Sequence, residues 1–504
     1  MPRSSTVLAG VPPGRALYSR PRETTLTEEC IDVVSRIRRE HDSLGDVDVD
    51  IDAYYGAQTA RAMSNFQISG IPISYYPVFI RALAHVKKAA ALANCELGDL
   101  DGSKAAAIAK ACDEIAAGMF ADQFMIDMFQ GGAGTSTNMN MNEVVANRAL
   151  EHLGFDKGRF DILHPNNDVN LSHSTNDVYP TAIRLALLLS YRELSSSIDG
   201  LSSAFEAKAN EFKDILKLGR TQLQDAVPMT LGQEFKAFAV TLREDILRLY
   251  DAARLLREVN LGGTAIGTGI TADPRYATVV IPKLAEVSGV ELVPAADFIE
   301  ACWDTGAFVL FSGTLKRTAV KLSTISNDLR LLSSGPRGGI DEINLPPMQP
   351  GSSIMPGKVN PVIPEVVNQV AFQVIGADLV VTLAAEAGQL QLNAMEPVIV
   401  FNLLLSIALL TNAIDTLRTK CVVGITADED RCRQHLEAGT ALATALTSVI
   451  GYEASASLAK EILASGRSLR ELAEDAAGLP KDVVEQLLDV KGLTSASRLR
   501  RQKP

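Results

Sequence analysis

The sequence predicts an all-α protein built on long rods, and three features carry that expectation. Apolar residues recur at spacings of three and four over long stretches, alternating strand patterns are scarce, and Gly-, Ser-, Thr- and Asn-rich segments sit between the stripes. The first stripe runs Ile183, Leu187, Tyr191, Leu194, Ile198, Leu201, Phe205, Ala209, Phe212 and Leu216. It predicts one helix of roughly 50 Å at about 1.5 Å per residue, with Pro180 and Thr181 at its start, where a fixed φ is welcome. A second stripe spans Leu231 to Leu256 and stops at Leu261-Gly-Gly263. The third spans Phe308 to Leu329 and stops at Ser333-Ser-Gly-Pro336, and a fourth fills Pro364 to Thr416, apolar almost all round. Helices apolar on every side must be covered on every side, which predicts a bundle of four or five rods and association between subunits. One short half-wet strand is expected where Val47, Val49 and Ile51 alternate with Asp46, Asp48, Asp50 and Asp52.

Composition narrows the function. A chain of 504 residues with 47% hydrophobic content can bury an extended core, and at about 150 residues per domain its length suggests roughly three domains. Lys and Arg number 48 against 60 Asp and Glu, a net charge of −12 that argues against a nucleic-acid or anionic-membrane partner. Val398 to Ile414 is the nearest thing to a membrane span, but Asn402, Ser406, Thr411 and Asn412 interrupt it, so a buried core helix is expected. The six cysteines are scattered without a C-x-x-C pair, and the six histidines form no zinc pattern. They read as reduced, mostly buried thiols of a cytoplasmic protein. The Arg- and Ser-containing start approaches the composition of a transit peptide, but Pro12 and Pro13 spoil an amphipathic helix, so residues 1–38 are expected to be a disordered extension. Arg498 to Pro504 reads as a solvated basic tail.

The inter-stripe segments at 131–142, 164–177, 219–228, 262–269 and 333–361 are polar and donor-rich, and connecting loops carry function more often than the rods they join. The most informative is Gly351-Ser-Ser-Ile-Met-Pro-Gly-Lys-Val-Asn-Pro361. Two Gly and two Pro make it a loop, and within it lie hydroxyls, an ammonium and an amide. Its plain reading is a capped turn with a solvated Lys; its functional one is a lid that brings a base and anion-holding groups to a substrate.

That block resembles the signature of the fumarase/aspartase superfamily. Gly132-Ala-Gly-Thr-Ser-Thr-Asn-Met-Asn-Met-Asn142, Ser172-His-Ser-Thr-Asn-Asp-Val-Tyr-Pro-Thr181, Gly219-Arg-Thr-Gln-Leu-Gln-Asp-Ala-Val-Pro-Met-Thr-Leu-Gly-Gln-Glu234 and Asn260-Leu-Gly-Gly-Thr-Ala-Ile-Gly-Thr-Gly269 are similar to its other blocks, in the same order. The resemblance implies reversible β-elimination on a succinyl compound with release of fumarate. It implies three domains (39–175, 176–430 and 431–504) and a homotetramer with a 20-helix core whose active sites are shared by three subunits. Gly134-Thr-Ser-Thr137, Ser174-Thr-Asn-Asp177 and Gln222 after Gly219-Arg-Thr221 are more similar to the aspartate-deaminating branch than to the hydratases. L-Aspartate is therefore the expected substrate; hydration of fumarate, or elimination from another aspartate-like compound, are the alternatives. A non-catalytic structural relative would keep the rods and lose the loop chemistry, which this chain retains.

The resemblance also assigns roles. Ser352, beside Ser353, matches the base that removes the C3 proton and leaves an aci-carboxylate, whose charge the site must stabilise. Lys358 and Asn360 match holders of a substrate carboxylate. Thr135, Ser174, Thr175 and Asn176 match hydroxyl and amide donors around the aci-carboxylate, although short hydroxyls at helix starts also cap. Thr221 matches a substrate-binding position. Gln222, a neutral amide where other members carry His, suits orientation rather than proton transfer. Glu365 matches the acid that pairs with that neighbour. His173 stands where the family commonly has Gln, and is expected to contact substrate, shift the pH response or pack; a pocket recharged for a modified aspartate would follow from the first. His164 falls where hydratases have a secondary anion-site His. No redox or nucleotide cofactor and no fixed metal site are implied, with Mg2+ or a similar cation expected at most as an activator.

Overall fold

In the computed structural model, which describes residues 37–438 and 450–465 with positions 447, 472 and 494, the stripes fold as helices. The chain opens with a hairpin, β1 (Ile37–Asp42) and β2 (Gly45–Asp50), antiparallel with Arg38 opposite Val49. Val49 faces the core while Asp46, Asp48 and Asp50 face water, as the alternation predicts. Helices α1 (Ala57–Asn65), α2 (Pro77–Leu97), α3 (Gly102–Ala116) and α4 (Thr135–His152) follow. In α2, Pro at the first turn and left-handed Gly98 at the end bracket an alanine-rich segment that is buried on most sides.

The bundle itself is α5 (Thr175–Glu211), α6 (Leu231–Leu255), α9 (Gly306–Leu332), α10 (Val362–Glu386) and α11 (Glu396–Lys420). Between these rods lie β3 (Leu216–Thr221) and β4 (Gln224–Thr230), the two-residue strand β5 (Glu258–Val259), α7 (Tyr276–Ser288), β6 (Val293–Pro294), α8 (Glu300–Trp303) and β7 (Ile343–Asn344). After α11 come β8 (Thr426–Ala427), α12 (Glu429–Ala438) and α13 (Tyr452–Ser465). The expectations for residues 1–36, the basic tail and Cys30 lie outside the described residues. All five described cysteines are free and four of them are buried.

Four expectations need correction. The first helix begins at Thr175, five residues before Pro180, because Ser174 and Asp177 form a reciprocal capping box there; Pro180 sits in the second turn. That helix also ends at Glu211: Phe212 is its C-cap and Leu216 starts a strand, so the stripe continues through a change of structure. The segment 219–228, expected as a loop, is the tip of the β3–β4 hairpin, with Leu216 opposite Thr230 and Gln222 and Leu223 as its left-handed turn (φ +55° and +60°). The fourth stripe is two helices, broken at 387–395, where buried Asn393 donates to the carbonyls of Ala384 and Ala385.

The rods give the bundle two ends. The start of α6 packs on the end of α5, with the Leu231 and Gly232 N–H groups on Ile215 and Phe212 carbonyls, and Arg184 near the start of α5 reaches the Leu255 carbonyl at the end of α6. Asp378 of α10 bonds Ser312 and Lys316 early in α9, while Asn368 bonds Ser323 and Asn327 late in it, so those two are also antiparallel. Helix α11 runs alongside α5 in the same direction: Ser197 meets Asp415, and Lys208 meets the Ile425 carbonyl beyond its end. Helices α10 and α11 are long and apolar enough to cross a membrane by length and composition; α11 is mostly buried, whereas α10 leaves Phe372, Leu379 and Leu383 exposed along one side.

Candidate active site

At one end of the bundle, the N-termini of α4 and α5 converge. Gly134, left-handed at φ +88°, precedes α4 and lies so close to the Tyr179 ring that any Cβ would collide with it. Thr135 follows, exposed, its hydroxyl donating to the Gly132 carbonyl at 2.7 Å. Ser174 caps α5, its Oγ accepting from the Asn176 N–H at 3.2 Å. Buried Asp177 takes the Ser174 N–H on one oxygen and the Gly262 and Thr264 N–H groups on the other, fastening the glycine-rich 260–269 segment to this corner. Burial raises its carboxyl, the bonds from Ser174, Gly262 and Thr264 opposing. Thr175 Oγ1 accepts from Asn138 Nδ2 at 3.1 Å, and Asn176 Nδ2 donates to the Ala265 carbonyl at 2.7 Å.

Those bonds set the chemistry of the corner. Of the two expected donors, Thr135 commits its one donor to the protein and keeps hydroxyl lone pairs for a cationic group, whereas Asn176 commits one N–H and keeps the other together with its carbonyl lone pairs. Thr175, by contrast, receives a donor and keeps its own O–H. Ser174 is engaged as a cap.

The opposite end carries the lid block and the hairpin tip. Gly351 pins the stem: its N–H donates to the Lys358 carbonyl at 2.8 Å, and Asn360 Nδ2 donates to its carbonyl at 2.8 Å. A Cβ at Gly351 would strike the Lys358 carbonyl oxygen at 2.6 Å, so the stem closes only with glycine. Ser352 is half-buried and its Oγ accepts from the N–H groups of Ile354 (3.2 Å) and Met355 (3.0 Å). These are the bonds of a turn cap, and the same two donors would hold a negatively charged oxygen. Ser353 and Lys358 are exposed. Lys358 and Asn360 line a cavity of about 490 Å³ together with Arg330, Ser334 and Asn344. Glu365 is in the first turn of α10. Thr221 and Gln222 are exposed at the hairpin tip, Gln222 held left-handed; strain of that kind gathers at functional positions.

A buried ion network seats this second end. Glu342 is fully buried and meets Arg220 Nη2 at 2.7 Å, Lys217 Nζ at 2.9 Å and His435 Nδ1 at 2.9 Å. Burial pushes its carboxyl up, but Arg220, Lys217 and His435 outweigh that and hold it below the usual range. The network ties the hairpin, the 333–361 segment and α12 together. Sequence reasoning missed Glu342 and Lys217; an Asp341-Glu342 pair between glycines and prolines, and a Lys inside an apolar strand, were the available signals.

The structure therefore splits the expected residues. Thr135, Ser174, Thr175 and Asn176 share one end, whereas Ser352, Ser353, Lys358, Asn360, Glu365, Thr221 and Gln222 share the other. The 37 residues of α5 separate the two sets, about 55 Å at 1.5 Å per residue. His173 joins neither: its ring is buried between Lys87 Nζ (2.8 Å) and Tyr276 Oη (3.3 Å). Burial, then Lys87, keeps it neutral by lowering its pKa well below the usual value. His164 caps a turn, Nδ1 accepting from the Asn166 and Asn167 N–H groups.

A bundle of long rods with polar blocks gathered at its ends defines a class of helical lyases. A family model described as Lyase matches residues 45–376, and another described as Fumarase C C-terminus matches 442–495. The chain belongs to the fumarase/aspartase superfamily. It is 62% identical to an aspartate ammonia-lyase of Pseudomonas canavaninivorans, over 90% of this chain and 95% of that one. The Escherichia coli K12 aspartate ammonia-lyase is 52% identical over 91% of this chain and 96% of its own. Among solved structures, a Brucella melitensis fumarate lyase:delta crystallin bound to cobalt is 58% identical, with a TM-score of 0.89 over 92% of this chain and all of that one. A class II fumarase from Schistosoma mansoni is 34% identical, with a TM-score of 0.88 over 91% of this chain and 99% of its own.

Proposed function

We propose that this chain is an aspartate ammonia-lyase, a carbon–nitrogen lyase that reversibly converts L-aspartate to fumarate and ammonium. Relatives bearing that name stand at 52–62% identity across about nine-tenths of the chain, against 34% for the fumarase. The observation that carries the chemistry is Ser352, whose Oγ accepts two backbone N–H groups in a glycine-closed loop. As an alkoxide it takes the proton from C3; the electron pair moves onto the β-carboxylate as an aci-carboxylate, then re-forms as the C2–C3 double bond while the C–N pair leaves on nitrogen. Lys358 and Asn360 hold carboxylate, Ser353 and Glu365 support the lid, Thr175 donates to the developing dianion, and Thr221 and Gln222 orient the substrate. The lone pairs of Thr135 and Asn176 suit the departing ammonium better than the hydroxyl of malate.

One subunit alone places these groups about 55 Å apart along α5, so each site needs at least two subunits; the superfamily resemblance extends this to a homotetramer whose sites draw on three. The exposed Phe372, Leu379 and Leu383 of α10 offer the apolar surface that such packing would cover. No redox or nucleotide cofactor enters this chemistry, and a divalent cation such as Mg2+ is left only the role of an activator; dialysis against EDTA should then leave basal turnover in place. The cytoplasm is the proposed location. The test is fumarate absorbance at 240 nm with L-aspartate and L-malate in parallel: signal from aspartate alone supports the reading, and signal from malate alone overturns it in favour of a hydratase.

A further inference from the structure

The polar groups behind Thr175 form a directed chain. Asn138 of α4 is buried, and its Nδ2 donates to Thr175 Oγ1 and to Asn170 Oδ1, both at 3.1 Å. Asn170 Oδ1 also receives Lys87 Nζ at 2.9 Å and Asn142 Nδ2 at 3.1 Å, while Asn170 Nδ2 donates to the His173 carbonyl at 3.0 Å. Lys87 is fully buried on α2 and also meets His173 Nε2.

Direction follows from the donor inventory. The His173 backbone carbonyl can only accept, so it fixes the Asn170 NH2 on its own side and turns Oδ1 toward Lys87, Asn138 and Asn142. With that oxygen fixed, Asn138 must present Nδ2, not Oδ1, to the pair of Asn170 and Thr175. The remaining Asn138 oxygen is buried without a hydrogen-bond partner, so nothing on its own side holds this orientation. A threonine hydroxyl that accepts from Asn138 has its own O–H left to point outward.

We infer that Lys87, Asn170 and Asn138 are positioning residues that set the polarity of the Thr175 hydroxyl, so that it donates to a substrate carboxylate; this rests on the proposed role of Thr175. None of the three touches substrate in this account. His173 serves the same chain from behind, as the neutral ring that receives Lys87.

The decisive variant is Asn138→Asp in the full-length protein. It preserves shape but presents only acceptors to Thr175, drawing the O–H inward. The expected result is a fall in kcat/KM for L-aspartate of roughly 10²-fold, together with strong coupling: in a Thr175→Val background the same substitution should cost nothing more in kcat/KM. Lys87→Met provides a second route should Asn138→Asp fail to fold, with a loss of about tenfold, again absent in the Thr175→Val background. If Thr175→Val is impaired but the Asn138→Asp loss is absent, or adds in full in the double variant, the relay is wrong. If Thr175→Val itself retains wild-type kinetics, the assignment of Thr175 to the substrate falls, and the relay with it.

Discussion

The two ends of the bundle handle hydrogen bonding in opposite ways. At the α4–α5 corner the candidate substrate groups sit on helix N-termini, and Asn138, Asp177 and Ala265 already hold their partners in place. At the lid end the candidate base hydroxyl and the ammonium lie in a loop fixed at its stem by Gly351 and Asn360, while Glu342 ties the neighbouring part of the same segment to the hairpin. The contrast separates two tasks. A pre-set corner recognises charge without reorganising, whereas a base as weak as a serine hydroxyl needs a loop that can close over substrate and exclude water.

The largest effect expected is from Ser352→Ala. Turnover with L-aspartate should drop on the order of 10³-fold while the melting temperature stays put, because the side chain caps an exposed turn only. A loss of stability in step with activity would make Ser352 a structural cap and erase the contrast. Next in size is Glu342→Leu. Removing the shared carboxylate from a buried ion cluster leaves Arg220 without its partner and Lys217 with Glu234 alone, at about 3 kcal/mol. Chemical denaturation should register that loss, and an unchanged midpoint would mean the lid end is seated by something else.

The separation of the ends can be tested directly. Ser352→Ala and Thr175→Val chains, each impaired alone, should recover about a quarter of wild-type activity per site when co-expressed, if every site takes its two ends from different subunits. No recovery above the parents would break the shared-site reading. The last effect concerns pH. Burial pulls the Lys87 ammonium down to about 7, with Asp177 opposing. Between that value and the ordinary 10.5 the unfolded chain binds a proton that the folded one does not, so this group's contribution to stability rises with pH across the window. Melting Lys87→Met beside wild type from pH 6.5 to 10 should show the wild type gaining on the variant as pH rises. Parallel curves would mean that Lys87 stays charged in the fold.

Much of this was legible in the chain. The apolar spacings located the bundle rods, Val49 and its flanking Asp residues located β2 but not its partner β1, and the block 351–361 was recognisable by its residue types. The misreadings share a cause. Leu216 continued a helical stripe because a strand and a helix face both accept a partly covered Leu, and periodicity does not register where the backbone changes state. Pro180 looked like a helix start because the stronger start, a Ser174–Asp177 capping box, depends on side-chain geometry that spacing only hints at.

What the sequence determined by itself was chemistry: which groups are present, in which blocks, and hence the family of reactions open to them. Tertiary structure decided who meets whom. It placed Thr175 and Ser352 at opposite ends of a long helix, turned the Thr135 hydroxyl and one Asn176 N–H inward, and buried His173 against Lys87 rather than beside substrate. The Asn176 and His173 outcomes depend on contacts between residues more than eighty positions apart, and a hydrogen bond has a direction only once both of its ends have been brought together.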